Sequence, residues 1–506
     1  MPKGIKMEEV VESRSTDLSY SRKEKESLKR VGVIYGEVGT TQFTFSVTGN
    51  VEQGDYVQVL HEKFGWVLGR VDEIKRKTNL SVEKAREIVF GKDMDVKEVL
   101  SATVVVIGYR DSKGLLQYPR IPFRVGTMVY LAQDSFIKKV IGIKEIKSTG
   151  AYIGRLYRYR SIPIYLDINA MVQKHVSILA KTGAGKSYLT GVLLEELLKH
   201  RVTAVVIDPH GEYSSLRFPA KKSRMHDEFK VKPKGYASKI KIFSPDVELN
   251  EAKPLRFTLA SMTPRELLNL MNLDARQYLI PLRKTMDLLK MSRKYFTIRD
   301  IIRLLESEEN NNAGPLLAQL EYLDEMRIFD KKGTRIDEIV EEGKISIINL
   351  RGVPPDIQEL VVQRLSMALF ELRKRGKIPP LMLVIEEAHN YAPQQGISSA
   401  TKILRTIASE GRKFGLGLCI ISQRPAKVDK NILSQCNTQI ILKVTNPNDL
   451  KAIGNSVEGL TKGSLEEIQR LPVGVALVTG GNISMPLFVE IRPRETKHGG
   501  ESVKVV

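Results

Sequence analysis

The pattern of apolar and polar positions changes character several times along the chain. Residues 1–30 mix charges of both signs with few apolar positions, so they bury too little surface to offset the entropy of ordering and read as a mobile arm. From Val31 to about Ile146, short β-branched runs broken by glycine follow one another: VGVIYGEV, YVQVL, WVLGRV, ATVVVIGY and TMVYLA. They predict a small β-barrel over residues 31–150, interrupted by one helix near residues 81–89.

From about Ala151 strand-like and helix-like segments alternate, the sign of a parallel sheet covered on both faces. Residues 175–180, 203–207, 345–350, 381–385 and 416–422 are nearly unbroken apolar runs, as burial on both faces demands, with helices expected at 187–199 and 356–375. Residues 255–340 show no clear strand. Thr263-Pro264-Arg265-Glu266 there supplies an N-cap, a proline at the first helical position and a reciprocal glutamate, and Thr297 with Asp300 repeats the spacing. An α/β core is therefore expected in two halves, 151–254 and 341–481, separated by a helical insertion over 255–340. The remaining residues, 482–506, hold one strand-like run, SMPLFVEI, and a polar end.

Ala180-Lys181-Thr182-Gly183-Ala184-Gly185-Lys186-Ser187 ends an apolar strand and opens an amphipathic helix. This is a P-loop in which alanine replaces the first glycine. Its glycines let backbone N–H groups curl around phosphates, and the helix N-terminus favours the anion. Residues Thr182, Gly183, Ala184, Gly185, Lys186, Ser187 and Tyr188 are the expected nucleotide-binding stretch, with Lys186 on the β- and γ-phosphates and Ser187 on magnesium. Leu381-Met382-Leu383-Val384-Ile385-Glu386-Glu387 is a buried strand ending in two carboxylates, as in a Walker B segment. Glu386 is expected to orient Mg2+, although aspartate is more usual there, and Glu387 to position or deprotonate the attacking water. Gln423, after the strand ending at Ser422, is a candidate sensor of the γ-phosphate. Arg412, following a helix and a glycine, is a candidate arginine finger for a neighbour's ATP, with Lys174 and Arg405 as runners-up. In Val206-Ile207-Asp208-Pro209-His210-Gly211-Glu212-Tyr213 the carboxylate of Asp208 is placed to face the nucleotide, and His210 reads as a turn residue.

Composition narrows the partners. Lys and Arg number 79 against 59 Asp and Glu, and the resulting +20 favours polyanions without singling out nucleic acid. Eight of those cations fall in residues 221–241, a candidate DNA-facing surface or a solvated loop face. The turn Arg351-Gly352-Val353-Pro354-Pro355 and residues 390–399 are candidate pore loops. Cys419 and Cys436 lack a CxxC spacing and read as buried thiols of a reducing cytosol. No apolar run approaches the roughly 18 residues needed to cross a bilayer, and the N-terminus lacks a signal-peptide core, so a cytoplasmic protein without a membrane partner is expected.

Together, AKTGAGKS, VIDPHGEY, LMLVIEEAHNYAP and SEGRKFGLGLCIISQRP resemble the HerA branch of the HerA–FtsK superfamily of translocases. The resemblance covers most of the chain, and the N-terminal barrel looks like the HAS domain of that family. It implies a RecA-like P-loop NTPase core with a helical insertion, using ATP and Mg2+. It further implies a homohexameric ring that moves along double-stranded DNA without sequence preference, working with a NurA-type nuclease in end resection for recombinational repair. Two alternatives keep the phosphate site but put it to other uses. One is a type IV secretion-like ATPase moving protein or nucleoprotein; the other is a nucleotide-switched clamp without motor activity. The paired carboxylates count against the clamp, because a pure switch needs no water-activating glutamate.

Overall fold

Alternating side chains close the first sheet on itself. In the computed structural model, β1 (Arg30–Val38), β2 (Gln42–Val47), β3 (Tyr56–His61), β4 (Gly65–Thr78), β5 (Glu98–Arg110), the two-residue β6 (Leu116–Gln117) and β7 (Met128–Leu131) are all antiparallel. They run β2-β1-β7-β3-β4-β5-β6, and β5 pairs back onto β2, so six of them make a closed barrel with β6 outside it. Phe43 and Phe45 of β2, Val57 and Val59 of β3 and Ala102, Val104 and Val106 of β5 alternate into the barrel's core, the period of two that a pleated strand imposes.

The structure describes residues 28–78, 98–143, 146, 148–271, 273–292, 295–307, 313–396, 398–457, 460 and 462–499. Nearly all of the expected N-terminal arm and the helix expected at 81–89 lie outside these residues. The chain divides into two compact units at Lys144 and Glu145. Among the described residues no helix is long and apolar enough to cross a membrane.

The second unit is built on a twelve-stranded sheet: β8 (Gly150–Leu156), β9 (Pro163–Asp167), β10 (Val176–Leu179), β11 (Thr203–Asp208), β12 (Ile240–Ser244), β13 (Lys253–Pro254), β14 (Ile345–Asn349), β15 (Leu381–Ile385), β16 (Leu416–Ser422), β17 (Thr438–Ile441), β18 (Val475–Gly480) and β19 (Ile483–Ile491). Eight strands, in the order β13-β12-β14-β11-β15-β16-β10-β17, are parallel; β18, β19, β8 and β9 then continue the sheet antiparallel. The central strands β10, β11, β14, β15 and β16 are buried at every position, which is why they read as unbroken apolar runs. The sequence pattern missed β8, β9, β12, β13, β17 and β18, and with them three of the four antiparallel strands; the expected run SMPLFVEI is the fourth, β19. The insertion is helical as expected, with α2 (Pro264–Leu270), α3 (Ala275–Ser292), α4 (Ile298–Ser307) and α5 (Gly314–Glu325) following α1 (Lys186–Lys199) in the chain. The box at Thr263 and Glu266 caps α2 in both directions.

Helix α1 departs from expectation. The sequence pattern suggests an amphipathic helix, yet every residue from Leu189 to Leu198 is buried, Glu195 and Glu196 included. Taking a carboxylate out of water is costly unless cations and hydrogen bonds replace the solvent, and here residues beyond β19 supply both. Arg492, wholly inaccessible, donates to Glu195 Oε2 at 2.9 Å and to Glu196 Oε1 at 2.7 Å. The backbone N–H and hydroxyl of Thr496 donate to Glu195 Oε1 at 2.9 and 2.7 Å, and Lys199 pairs with both Glu196 and Glu495. A Cβ at Gly191 would lie 2.5 Å from Arg494 Cζ, so glycine at that point lets the arginine cross the helix. The end expected to be polar is polar, yet Arg492, Arg494, Glu495 and Thr496 are buried.

Removing one partner of a buried ion pair typically costs about 3–5 kcal/mol, because the other charge is left uncompensated. Arg492→Ala is therefore expected to destabilise the second unit by about that amount in chemical denaturation. A loss no larger than the ~0.5 kcal/mol of an ordinary surface change would show that Arg492 is not the counter-ion.

Candidate active site

Parallel strands deliver their following loops to one edge of the sheet, the place where ligands bind in open α/β folds. β10 enters the loop Ala180–Gly185, in which Gly183 (φ 76°) and Gly185 (φ 98°) take left-handed conformations that a side chain would disfavour. The loop caps α1, so its amides and the helix N-terminus combine where an anion is favoured. Since β16 lies between β10 and β15, residues after β16 fall between the P-loop and the paired carboxylates.

Lys186 is the centre of the site. Its side chain is 11% exposed, with Nζ 2.9 Å from Glu386 Oε1 and in contact with Glu387 Oε1. Burial works against the lysine's charge, but the two carboxylates outweigh it and hold the pKa above the ordinary lysine value. Burial pushes Glu386 up to about 7, against the pull of Lys186. In an extended strand the two glutamates would point to opposite faces. Glu387 instead has φ 50° and ψ 44°, and this left-handed turn brings the second carboxylate round to the same lysine. For a residue other than glycine that conformation costs about 1–2 kcal/mol.

Thr182 Oγ1 donates to Gln423 Oε1, tying the P-loop to the end of β16. His389 Nδ1 lies 3.1 Å from Ser422 Oγ and 3.3 Å from Glu387 Oε2, and burial holds the imidazole below its usual pKa. Glu386 Oε1 and Glu387 Oε2 are buried. Among the described residues Glu386 Oε1 faces only Lys186 and Glu387 Oε2 only His389, so each keeps an open lone pair; with the hydroxyl residue Ser187 in the first turn of α1, this oxygen-rich donor set suits a hard divalent cation and its water shell.

The structure brings together Thr182, Lys186, Glu386, Glu387 and Gln423, with Gly183, Ala184, Gly185, Ser187 and Tyr188 in the adjoining loop and first turn. Arg412 stands apart. It lies inside the last turn of a helix, Thr401–Phe414, rather than after it, and is exposed. Lys174 is exposed at the end of the helix Ile168–Lys174, and Arg405 is paired with Asp429. The expectation that Asp208 faces a nucleotide is corrected. Its buried carboxylate accepts from the N–H groups of His210, Gly211, Glu212 and Tyr213, closing its own loop. Of the basic residues in 221–241, Lys222, Arg224 and Lys241 pair with Asp227, Glu228 and Glu341, and Lys239 donates to Leu198 O. Arg351 and Gly352 are exposed, as are residues 394–396.

Three neighbours of the site escape a reading of the sequence: Tyr213, whose hydroxyl donates to Glu386 Oε2 at 2.8 Å, His389 and Ser422. Each sits inside a motif notable for its charged residues. The available signal is a polar side chain at or just after a strand end.

Strand, P-loop, capped helix and paired carboxylates define a P-loop NTPase-like α/β domain, here with a closed six-stranded barrel before it. Residues 31–112 match the HAS barrel domain family, and residues 151–369 match the family described as "Helicase HerA, central domain". Both matches are to domains of HerA-type helicases, and the similarity to proteins of that name extends over nearly the whole chain. It is 28% identical to the DNA double-strand break repair helicase HerA of Pyrococcus furiosus over 94% of this chain and 96% of that protein. A probable helicase of Methanocaldococcus jannaschii is 29% identical, over 94% and 93% of the two chains. Among solved structures, VirB4 of Thermoanaerobacter pseudethanolicus aligns at 17% identity with a TM-score of 0.49, over 69% of this chain and 97% of that one.

A phosphate ligand has to take Lys186 from the carboxylates that hold it. Glu387→Gln removes one competitor, and a non-hydrolysable ATP analogue is expected to bind several-fold tighter in a fluorescence titration. Weaker binding would mean that Glu387 assists the ligand rather than competing for the lysine.

Proposed function

We propose that this protein is an ATP-hydrolysing motor that moves along double-stranded DNA. The observation that carries the reading is Lys186 held between Glu386 and Glu387, one strand away from Gln423, at the mouth of a P-loop. In this reading the amides of residues 182–188 cradle the phosphates and Lys186 moves onto the β- and γ-phosphates. Ser187 and Glu386 would hold Mg2+, which when bound neutralises charge on the phosphate oxygens. Glu387 orients the attacking water and accepts its proton as the bond between the γ-phosphorus and the bridging oxygen breaks. Gln423, already bonded to Thr182, reports the loss of that phosphate to the loop after β16.

Arg412, exposed and just before β16 begins, at the strand end opposite to the one that leads from β10 into the P-loop, is assigned to the ATP of the neighbouring protomer in a homohexameric ring. The names of the relatives, DNA double-strand break repair helicases, support DNA as the track. The family resemblance supports a NurA-type nuclease as the partner in end resection. A ring of this kind grips phosphates rather than bases, so binding is insensitive to sequence and weakens steeply with salt.

ATP turnover is expected to rise several-fold with linear duplex DNA and to vanish in Lys186→Ala and Glu387→Gln. Turnover indifferent to DNA at low salt would instead favour a motor with a protein cargo. In a separate experiment, Arg412→Ala chains mixed into wild-type assemblies are expected to depress turnover more than in proportion to their share. A strictly linear loss would remove Arg412 from the neighbour's site.

A further inference from the structure

The stretch Asp208–Tyr213 takes no direct part in the proposed hydrolysis, yet its bonding is unusually complete. Asp208, fully buried, spends both carboxylate oxygens on four successive backbone N–H groups, and the last of them belongs to Tyr213. This fixes where the tyrosine ring enters the core. The ring is wholly inaccessible, and its hydroxyl donates to Glu386 Oε2 at 2.8 Å, a contact between residues 173 positions apart. β11 and β15 are neighbouring parallel strands with Ile207 opposite Ile385, and Glu386 N donates to Ile207 O at 3.2 Å, so both residues leave adjacent strand ends.

Glutamate at this position carries one more rotatable bond than the aspartate more usual there, and a free glutamate would spread its carboxylate over several rotamers. The hydroxyl of Tyr213 removes that freedom by holding Oε2. The other oxygen, Oε1, is buried and faces Lys186 Nζ at 2.9 Å. We propose that Tyr213 is the positioning residue of Glu386, clamping one carboxylate oxygen so that the other is presented to Lys186 and to a divalent cation's water shell. The longer acid and the tyrosine then form a matched pair: the glutamate reaches the hydroxyl, and the hydroxyl aims the glutamate.

The inference rests on the nucleotide reading, and Tyr213→Phe tests it with the ring's packing kept. Binding of a fluorescent non-hydrolysable ATP analogue in EDTA is expected to match the unmutated protein. The Mg2+ concentration for half-maximal binding is expected to rise several-fold. Turnover at saturating Mg2+ is expected to fall by about tenfold in kcat with KM for ATP unchanged, a split that loss of packing alone does not produce. Should Tyr213→Phe fail to fold, Glu386→Asp carries the test by itself, because the shortened acid withdraws from the hydroxyl and the same rise in Mg2+ requirement is expected. If both variants fold, the pair is expected to be non-additive, Glu386→Asp adding little in a Tyr213→Phe background. An unchanged Mg2+ requirement in Tyr213→Phe, or fully additive effects, overturns the inference while leaving the nucleotide reading standing. An unmutated protein that binds no nucleotide with or without Mg2+ overturns both.

Discussion

A charge taken out of water has to be balanced where it lies, and α1 meets that constraint at both of its ends. At the first turn Lys186 is enclosed by two carboxylates; further along the helix, Glu195 and Glu196 are enclosed by Arg492 and the backbone and hydroxyl of Thr496. Between these clusters the helix is covered from Leu189 onward. Its position is thereby fixed by directional bonds rather than by apolar contact alone, and a phosphate loop needs such fixing because its amides must converge on a single point. The cost of desolvating Glu195 and Glu196 is offset largely by partners from the far end of the chain, with Lys199 the one local cation on Glu196 among the described residues.

The same constraint makes ligand binding an exchange of anions. Lys186 stays charged while buried because Glu386 and Glu387 are there. A phosphate arriving at the loop replaces carboxylate oxygens around an existing cation instead of bringing a new charge into a neutral cavity. Of the two carboxylates that neutralise the lysine, Glu387 stands on a left-handed backbone with His389 close by. The proposed hydrolysis would set it free as the lysine turns to its ligand.

The barrel, the parallel core and the P-loop are legible in the sequence because each imposes a local rule: a period of two, an unbroken apolar run, a fixed spacing of glycine and lysine. Glu386 and Glu387 can be paired with Lys186 for a similar reason, since strand ends in such a sheet share one edge. The left-handed turn at Glu387 that makes the meeting possible has no sequence mark of its own. Tyr213 is hidden because its partner is 173 residues away, and because the charge of Asp208 in the same motif suggests a ligand-facing acid. Arg492, Arg494 and Thr496 are hidden because polar residues after a final strand read as solvated. The available clue is the pair Glu195-Glu196 inside GVLLEELLK, two charges in a helix too apolar to have a wet face. Of the antiparallel strands, β8 and β9 are missed because glycine, proline and charged residues break their apolar runs, and β18 because its apolar stretch, residues 475–478, is only four residues long.

The contact between Glu195 and Arg492 spans 297 residues, and that separation orders the protein's birth. A ribosome adding about 5–20 residues per second needs some tens of seconds to pass from one to the other. Throughout that interval Glu195 lacks its arginine and Glu196 has, among its described partners, only Lys199 for a counter-ion. The barrel, whose strands all lie within the first 131 residues, has every partner it needs long before. The barrel's partners are thus complete early in synthesis, whereas the counter-ions of α1, the helix that the phosphate loop opens, are complete only after residue 496 has been added.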